Sequence, residues 1–175
     1  MRIPNIFLVG PMGAGKSAVG RQLARMLQRD FHDSDAEVEA RTGVDISFIF
    51  EKEGEAGFRR RERQVIDALT ALDGVVLATG GGAVLEPANR EVLASRGLVV
   101  YLEASVDQQL ERTRLSGNRP LLDTPQPVER LTRLMQERAP LYRELATLTV
   151  PTDGRLVREV AQEIRRRLAE LLEEG

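Results

Sequence analysis

The chain contains no cysteine and no tryptophan, a single histidine, and only two lysines, Lys16 and Lys52, among its 25 basic residues. The absence of cysteine excludes disulfides, thiolate metal sites and thiol nucleophiles together, and fits a cytoplasmic protein. A membrane helix needs about eighteen or more consecutive apolar residues, and no run in the chain approaches that length. The short apolar stretch at 3–9 runs straight into a glycine motif with no cleavage site between them, so it reads as a first strand and not as a signal peptide. An excess of positive charge is also missing. Against the 25 basic residues stand 27 acidic ones, a net charge of −2, which argues against a protein that coats nucleic acid or an anionic membrane. With 42% hydrophobic and 30% charged residues over 175 positions, the composition is that of one globular domain with a sizeable core. No internal repeat or linker divides 1–175.

What is present is an alternation of strand and helix patterns. Apolar, β-branched runs at 3–9, 75–79 and 98–102 read as strands, the last two continuous in the manner of strands covered on both faces. Shorter strands are expected at 30–32 and 147–150. After Lys16, the spacing of Val19, Leu23, Met26 and Leu27 marks one helical face. Further helices are predicted at about 36–41, capped by Gly43, at 46–52, and at 56–72 with Phe58, Val65, Ile66, Leu69 and Leu72 on one side. The remaining helices are expected at about 106–113, 128–145 and 156–172. Between the first two of these, SGNRPLLDTPQP has the length and composition of a lid, at about 115–126. The pattern implies a three-layer α/β fold with a mostly parallel sheet flanked by helices.

Residues 10–17 read GPMGAGKS, which fits the phosphate-binding pattern G-x-x-x-x-G-K-[ST] and lies between a predicted strand and a predicted helix, as that motif requires. Glycines let successive N–H groups turn toward phosphate oxygens, and the helix that follows adds its positive end. Lys16 supplies a compact charge to the β and γ phosphates, and the Ser17 hydroxyl is placed to ligate Mg²⁺. Lys52, among Glu51, Glu53 and Glu55, is a surface charge.

No N-K-x-D segment is present, which argues against a switch GTPase. The strand at 75–79 ends in Gly80, Gly81 and Gly82 where a motor ATPase would carry an acid. The acid is expected instead in FHDSD. Asp33 and Asp35, two apart in extended geometry, would project to one side, one toward a metal's water shell and the other toward an acceptor hydroxyl. The competing reading makes Ser34 or Asp35 the cap of the helix near 36. In the run Arg59, Arg60, Arg61 and Arg63, at least two arginines should be solvated partners of acids such as Glu55 and Glu62, while one turned inward could grip a carboxylate bidentately. The three glycines suit close approach of a ligand to the main chain. Arg119, in the lid, could close over the transferring phosphoryl group as an internal arginine finger. His32 reads as a strand-end residue.

Taken together, NIFLVGPMGAGKS, DSD, GFRRRE, ATGGG, NRPLL and ERAPLY, in that order along nearly the whole chain, resemble the shikimate kinase family. The resemblance implies a fold like that of nucleoside monophosphate kinases, with a five-stranded parallel sheet in the order 2-3-1-4-5. It also implies transfer of the ATP γ-phosphate to the 3-hydroxyl of shikimate, a step toward chorismate and the aromatic amino acids, in a monomer needing no obligatory protein partner. By the same resemblance, ATP would be held by Gly13, Ala14, Gly15, Lys16, Ser17 and Ala18, with Arg112 against the adenine, Arg155 in the adenine loop and Arg119 reaching from the lid. Mg²⁺ would lie at Ser17 and Asp33. Shikimate would be held by Asp35, the proposed base, by Arg59 and Arg138 on its carboxylate, and by Gly81 with Gly80 and Gly82 beside it. Lys16, Asp35 and Arg119 would be catalytic. The residues themselves leave two rivals open: a kinase for another small hydroxylated acid such as gluconate, and a switch that binds ATP without turning it over.

Overall fold

The computed structural model describes residues 3–116 and 126–174. Five strands form one parallel sheet: β1 (Asn5–Val9), β2 (Asp30–Asp33), β3 (Val75–Ala78), β4 (Gly97–Glu103) and β5 (Leu148–Pro151), in the spatial order β2-β3-β1-β4-β5. This is the order the family resemblance implies. Among the described residues seven α-helices surround the sheet: α1 (Lys16–Leu27), α2 (Ser34–Thr42), α3 (Ile46–Thr70), α4 (Pro87–Arg96), α5 (Val106–Ser116), α6 (Pro127–Leu145) and α7 (Val157–Glu174).

Successive residues of the central strand feed opposite faces, as the two-residue period of a strand dictates. Ile6 and Leu8 pack with Val76, Val100 and Leu102 beneath Leu23 of α1 and Ile164 and Leu168 of α7. Phe7 and Val9 join Leu77, Val99 and Tyr101 beneath Ile66 and Leu69 of α3, Leu93 of α4 and Tyr142 of α6. Two apolar faces therefore explain why β3 and β4 read as unbroken hydrophobic runs. The polar Asn5 begins β1 because its side chain closes the lower end of the sheet. Its amide donates to the Leu72 carbonyl at 2.7 Å, and its oxygen accepts the Val75 N–H at 2.9 Å.

Several predicted boundaries move. The helices expected at 46–52 and 56–72 are the two halves of α3, divided as expected at Gly54, whose φ of 73° and ψ of 179° break the helical path. Leu72 lies beyond its end and is 42% exposed, so it does not belong to the apolar face. Helix α4 was not expected. Of its ten residues only Asn89 and Leu93 are buried, too few to write a helical period, though Pro87 at its first turn is a start signal. Helix α2 begins at Ser34, earlier than predicted, with Gly43 in the left-handed conformation closing it as expected.

The chain leaves β1 toward β2 on one side and later crosses from β3 to β4 on the other. The segments after β1, β2 and β3 consequently emerge along one edge where the strand order reverses about β1, the position at which open α/β sheets bind ligands.

Candidate active site

The segment after β1 curls before entering α1. Gly13 and Gly15 have φ of 79° and 86°, in the left-handed region that favours glycine. Gly13 also packs closely: a Cβ there would stand 2.8 Å from the Gln109 Cα of α5. Gly15 is the N-cap of α1 and no side chain caps that end, so the first-turn N–H groups, through Ala18, are available as donors on the positive pole of the helix. Ala14 is fully buried beneath this turn. The Lys16 ammonium lies over the loop, donating to the carbonyls of Gly10 at 2.6 Å and Pro11 at 2.8 Å. Arg112 of α5 reaches the same place: its Nη1 is 2.6 Å from where a Gly15 Cβ would be.

Ser17 Oγ donates to Asp33 Oδ2 in a short contact. The other oxygen of Asp33 accepts the Ala36 N–H at 3.1 Å, which makes Asp33 the N-cap of α2. The capping role assigned to Ser34 or Asp35 therefore belongs to Asp33, and one carboxylate both starts the helix and faces Ser17. This overturns the extended i, i+2 geometry. Asp33 ends a strand and Asp35 lies in the first helical turn, because the cap turns the chain between them. Asp35 still reaches the site: its Oδ1 is 2.7 Å from the position a Gly80 Cβ would take. The Gly80 N–H is held by the buried Ser34 hydroxyl at 3.1 Å.

The glycine segment after β3 is lined by two arginines. A Cβ on Gly82 would overlap the Arg59 guanidinium, and one on Gly81 would stand 3.6 Å from Arg138 Nη1. Tyr142, one turn beyond Arg138 on α6, fixes the segment by donating to the Gly81 carbonyl at 2.5 Å. Burial pushes the Tyr142 hydroxyl far above its ordinary range, so it stays a donor. The Nε atoms of Arg59 and Arg138 are buried and make no hydrogen bond among the described residues. Two guanidinium groups thus flank one glycine strip with donor capacity left over, the arrangement that accepts a carboxylate.

Of the arginine run, Arg59 is the residue turned inward. Arg61 pairs with Glu53 at 2.8 Å and Arg63 with Glu86 at 3.7 Å, both on the surface. Glu62 departs from its predicted role as a surface acid: its side chain is 1% exposed and its Oε1 accepts from Arg59 Nη1 at 2.9 Å. Its second oxygen is buried without a hydrogen-bond partner among the described residues and lies 3.1 Å from the Gly80 Cβ position. Burial pushes the Glu62 carboxyl up to about 7; Arg59 pulls it down, Asp35 adds to the rise, and Arg138 opposes it. The apolar spacing of Phe58, Val65, Ile66 and Leu69 places position 62 on the same inward face, and that was the sequence signal for Glu62. Tyr142 had a comparable one, four residues after Arg138.

Arg155 stands apart from the other predicted nucleotide contacts. It donates to the Pro151 carbonyl at 2.8 Å and pairs with Glu163 at 2.8 Å, bracing the turn from β5 to α7. Arg119 and the centre of the predicted lid, 117–125, lie outside the described residues. His32 is a β2 residue, as expected. Among the described residues no helix is long and apolar enough to cross a membrane.

The shikimate kinase family model matches residues 12–169. A shikimate kinase of Halorhodospira halophila is 62% identical over 159 residues, which span 91% of this chain and 90% of that protein. One from Thioalkalivibrio sulfidiphilus is 59% identical over 162 residues, 93% of this chain and 85% of the relative. Among solved structures, shikimate kinase from Acinetobacter baumannii in complex with shikimate superposes with a TM-score of 0.93 at 52% identity, covering 96% of this chain and 94% of that one. A gluconokinase from Sinorhizobium meliloti 1021, with a TM-score of 0.63 at 20% identity over 99% of this chain and 97% of that one, shares the fold alone. With the family match running from inside the phosphate loop to the last helix, this chain belongs to the shikimate kinase family.

Proposed function

We propose that the edge formed by the segments after β1, β2 and β3 is where the γ-phosphoryl group of ATP passes to the 3-hydroxyl of shikimate, giving shikimate 3-phosphate and ADP, the activity of the family. The observation that carries this reading is the pair Arg59 and Arg138 across Gly81 and Gly82, beside a glycine loop that leads into the uncapped N-terminus of α1 with the Lys16 ammonium lying over it. An acid clamp beside a phosphate cradle selects a small carboxylic acid as acceptor.

In this reading the N–H groups of the loop and first helical turn across residues 13–18 and the Lys16 ammonium hold the β and γ phosphates, with Arg112 beside the nucleotide and Arg119 closing from the lid. Arg155 contributes to the adenine loop from its place in the turn after β5. Ser17 and Asp33, already in contact, offer the hard oxygen donors that Mg²⁺ takes, and the ion would neutralise charge on the phosphates. Arg59 and Arg138 fix the acceptor's carboxylate, Gly80, Gly81 and Gly82 let its ring lie against the main chain, and Asp35 accepts a hydrogen bond from the reacting hydroxyl. Phosphoryl transfer asks chiefly for such alignment and charge neutralisation. All these residues lie on one chain, which supports a monomer without an obligatory partner, and reliance on ATP together with the lack of cysteine supports a cytoplasmic enzyme.

The test is ADP release from ATP and Mg²⁺ with shikimate, with gluconate, or with no acceptor. Turnover is expected with shikimate alone. Equal turnover with gluconate, or ATP binding without turnover in any arm, would overturn the reading.

A further inference from the structure

We propose that Ser34 and Tyr142 are positioning residues for the transfer. They pin the glycine strip at two points and leave the Gly81 and Gly82 N–H groups to the acceptor, Ser34 setting the strip against the acid at the acceptor's hydroxyl and Tyr142 against the arginine at its carboxylate. The inference rests on the assignment of Asp35, Arg59 and Arg138 to the two ends of shikimate.

Glycine has no side chain to anchor it by packing, so the placement of 80–82 depends on main-chain bonds. A turn this close to the core pairs nearly all of them. The Gly80 N–H donates to Ser34 Oγ at 3.1 Å, and the Gly81 carbonyl accepts the Tyr142 hydroxyl at 2.5 Å. The carbonyls of Gly80 and Gly82 accept the N–H groups of Ala83 and Leu85, each at 3.1 Å. What remains is the N–H of Gly81 and that of Gly82, which have no acceptor among the described residues. They belong to the glycines that lie against Arg138 and Arg59, so the unused donors of the strip and those of the two forks share one place.

Each tether starts beside a different site residue. Ser34 is fully buried in the first turn of α2, between Asp33 and Asp35. Its bond holds that turn on the strip, where Asp35 Oδ1 stands 2.7 Å from the Gly80 Cβ position; lengthening the bond moves Asp35 relative to the acceptor's hydroxyl. Tyr142 comes from α6, with its ring against that of Tyr101 at 5.0 Å between centroids. Its bond holds Gly81, whose Cβ position is 3.6 Å from Arg138 Nη1, and its side chain is buried, so water does not compete for the carbonyl. Gripping the carboxylate contributes equally before and during transfer, whereas alignment of the hydroxyl matters as the new bond forms. Loss of the Tyr142 tether should therefore weaken shikimate binding, and loss of the Ser34 tether should slow turnover.

Tyr142→Phe keeps the ring against Tyr101 and removes only the donor; Ser34→Ala removes only the acceptor. Titration of each full chain with shikimate, and ADP release at saturating ATP, Mg²⁺ and shikimate, should give a crossed pattern. In Tyr142→Phe the shikimate Kd should rise roughly tenfold for one buried carbonyl left unpaired, with kcat within about threefold of wild type. In Ser34→Ala kcat should fall roughly thirtyfold through misalignment, with the Kd within about threefold. Parallel losses of affinity and turnover in both variants, the mark of general destabilisation, overturn the proposal, as does the reversed pattern. Amide hydrogen exchange reads the same bonds in the wild type. In the free chain the Gly80 amide should exchange more slowly than those of Gly81 and Gly82, and shikimate should slow the latter two. Gly80 exchanging as fast as its neighbours, or shikimate bound without protecting Gly81 and Gly82, overturns the proposal whether or not the variants fold. A wild type that neither binds nor phosphorylates shikimate overturns the assignment of the site, and this inference with it.

Discussion

Glu62→Gln should change how stability depends on pH, and in a direction opposite to the usual behaviour of acidic residues. The Glu62 carboxyl has an ordinary value of 4.5 and stands at about 7 in the folded chain. Between those values the native state binds more protons at this position than the unfolded state, so the free energy of unfolding falls as pH rises through that window. The contribution is fully present below pH 4.5 and is lost above 7. At about 1.36 kcal/mol for each tenfold change in proton affinity, the span amounts to about 3 kcal/mol. Glutamine keeps an oxygen for Arg59 and does not titrate, so its stability relative to wild type should rise by about that amount from pH 4.5 to pH 8. Urea unfolding at constant ionic strength measures it, and thermal midpoints should diverge by roughly 6–12 °C over the range for a chain of this size. Acids remote from Glu62 titrate alike in both proteins and cancel in the difference. Parallel stability curves, with a constant offset at every pH, would refute the assignment of a raised carboxyl to Glu62.

Arg59→Lys replaces a fork by a point charge and should raise the shikimate KM roughly thirtyfold, from a loss of about 2 kcal/mol of charge-assisted hydrogen bonding; unchanged shikimate saturation curves would refute the clamp. Gly82→Ala places a methyl group where the Arg59 guanidinium lies. Because the tip of that side chain can swing away, the variant should fold, at a stability lowered by the loss of the Arg59 partner of buried Glu62, and should lose at least tenfold in shikimate affinity, which denaturation and titration together would reveal. Arg119→Ala should lower kcat by about 10³ while leaving the shikimate Kd in place, since an arginine finger acts on transition-state charge; single-turnover rates within a few-fold of wild type would remove it from the mechanism.

The features legible in the sequence were those written in local grammar. A glycine-rich turn between a β-branched run and an amphipathic face announced the phosphate loop, and runs covered on both faces announced the parallel sheet. The spacing of Asp33 and Asp35 marks both as site residues, but not their relation: whether the chain stays extended or turns helical between them depends on one capping bond that the Ala36 N–H donates to Asp33. Helix α4 left little trace, since a helix that buries only two residues has no period to read. Glu62 was masked by the arginines around it. In a charged stretch its neighbours predict a surface ion pair, and only its register with Phe58, Val65 and Ile66 places it inside.

The scarcity of lysine acquires a physical meaning at the site. A phosphate chain is approached from a curled backbone, where a slim ammonium can lie along the loop, as Lys16 does against the Gly10 and Pro11 carbonyls. The acceptor's carboxylate instead presents two oxygens in a plane, which a fork matches and a point charge does not. A fork held ready needs a second acid to keep it oriented, and Glu62 Oε1 accepts from Arg59 Nη1 at 2.9 Å. Glu62 is buried and bonded on one side only, so water screens the pair little and its geometry holds. An aspartate would be too short for the same reach, and an acid at the surface would pair with the fork more weakly, in competition with water.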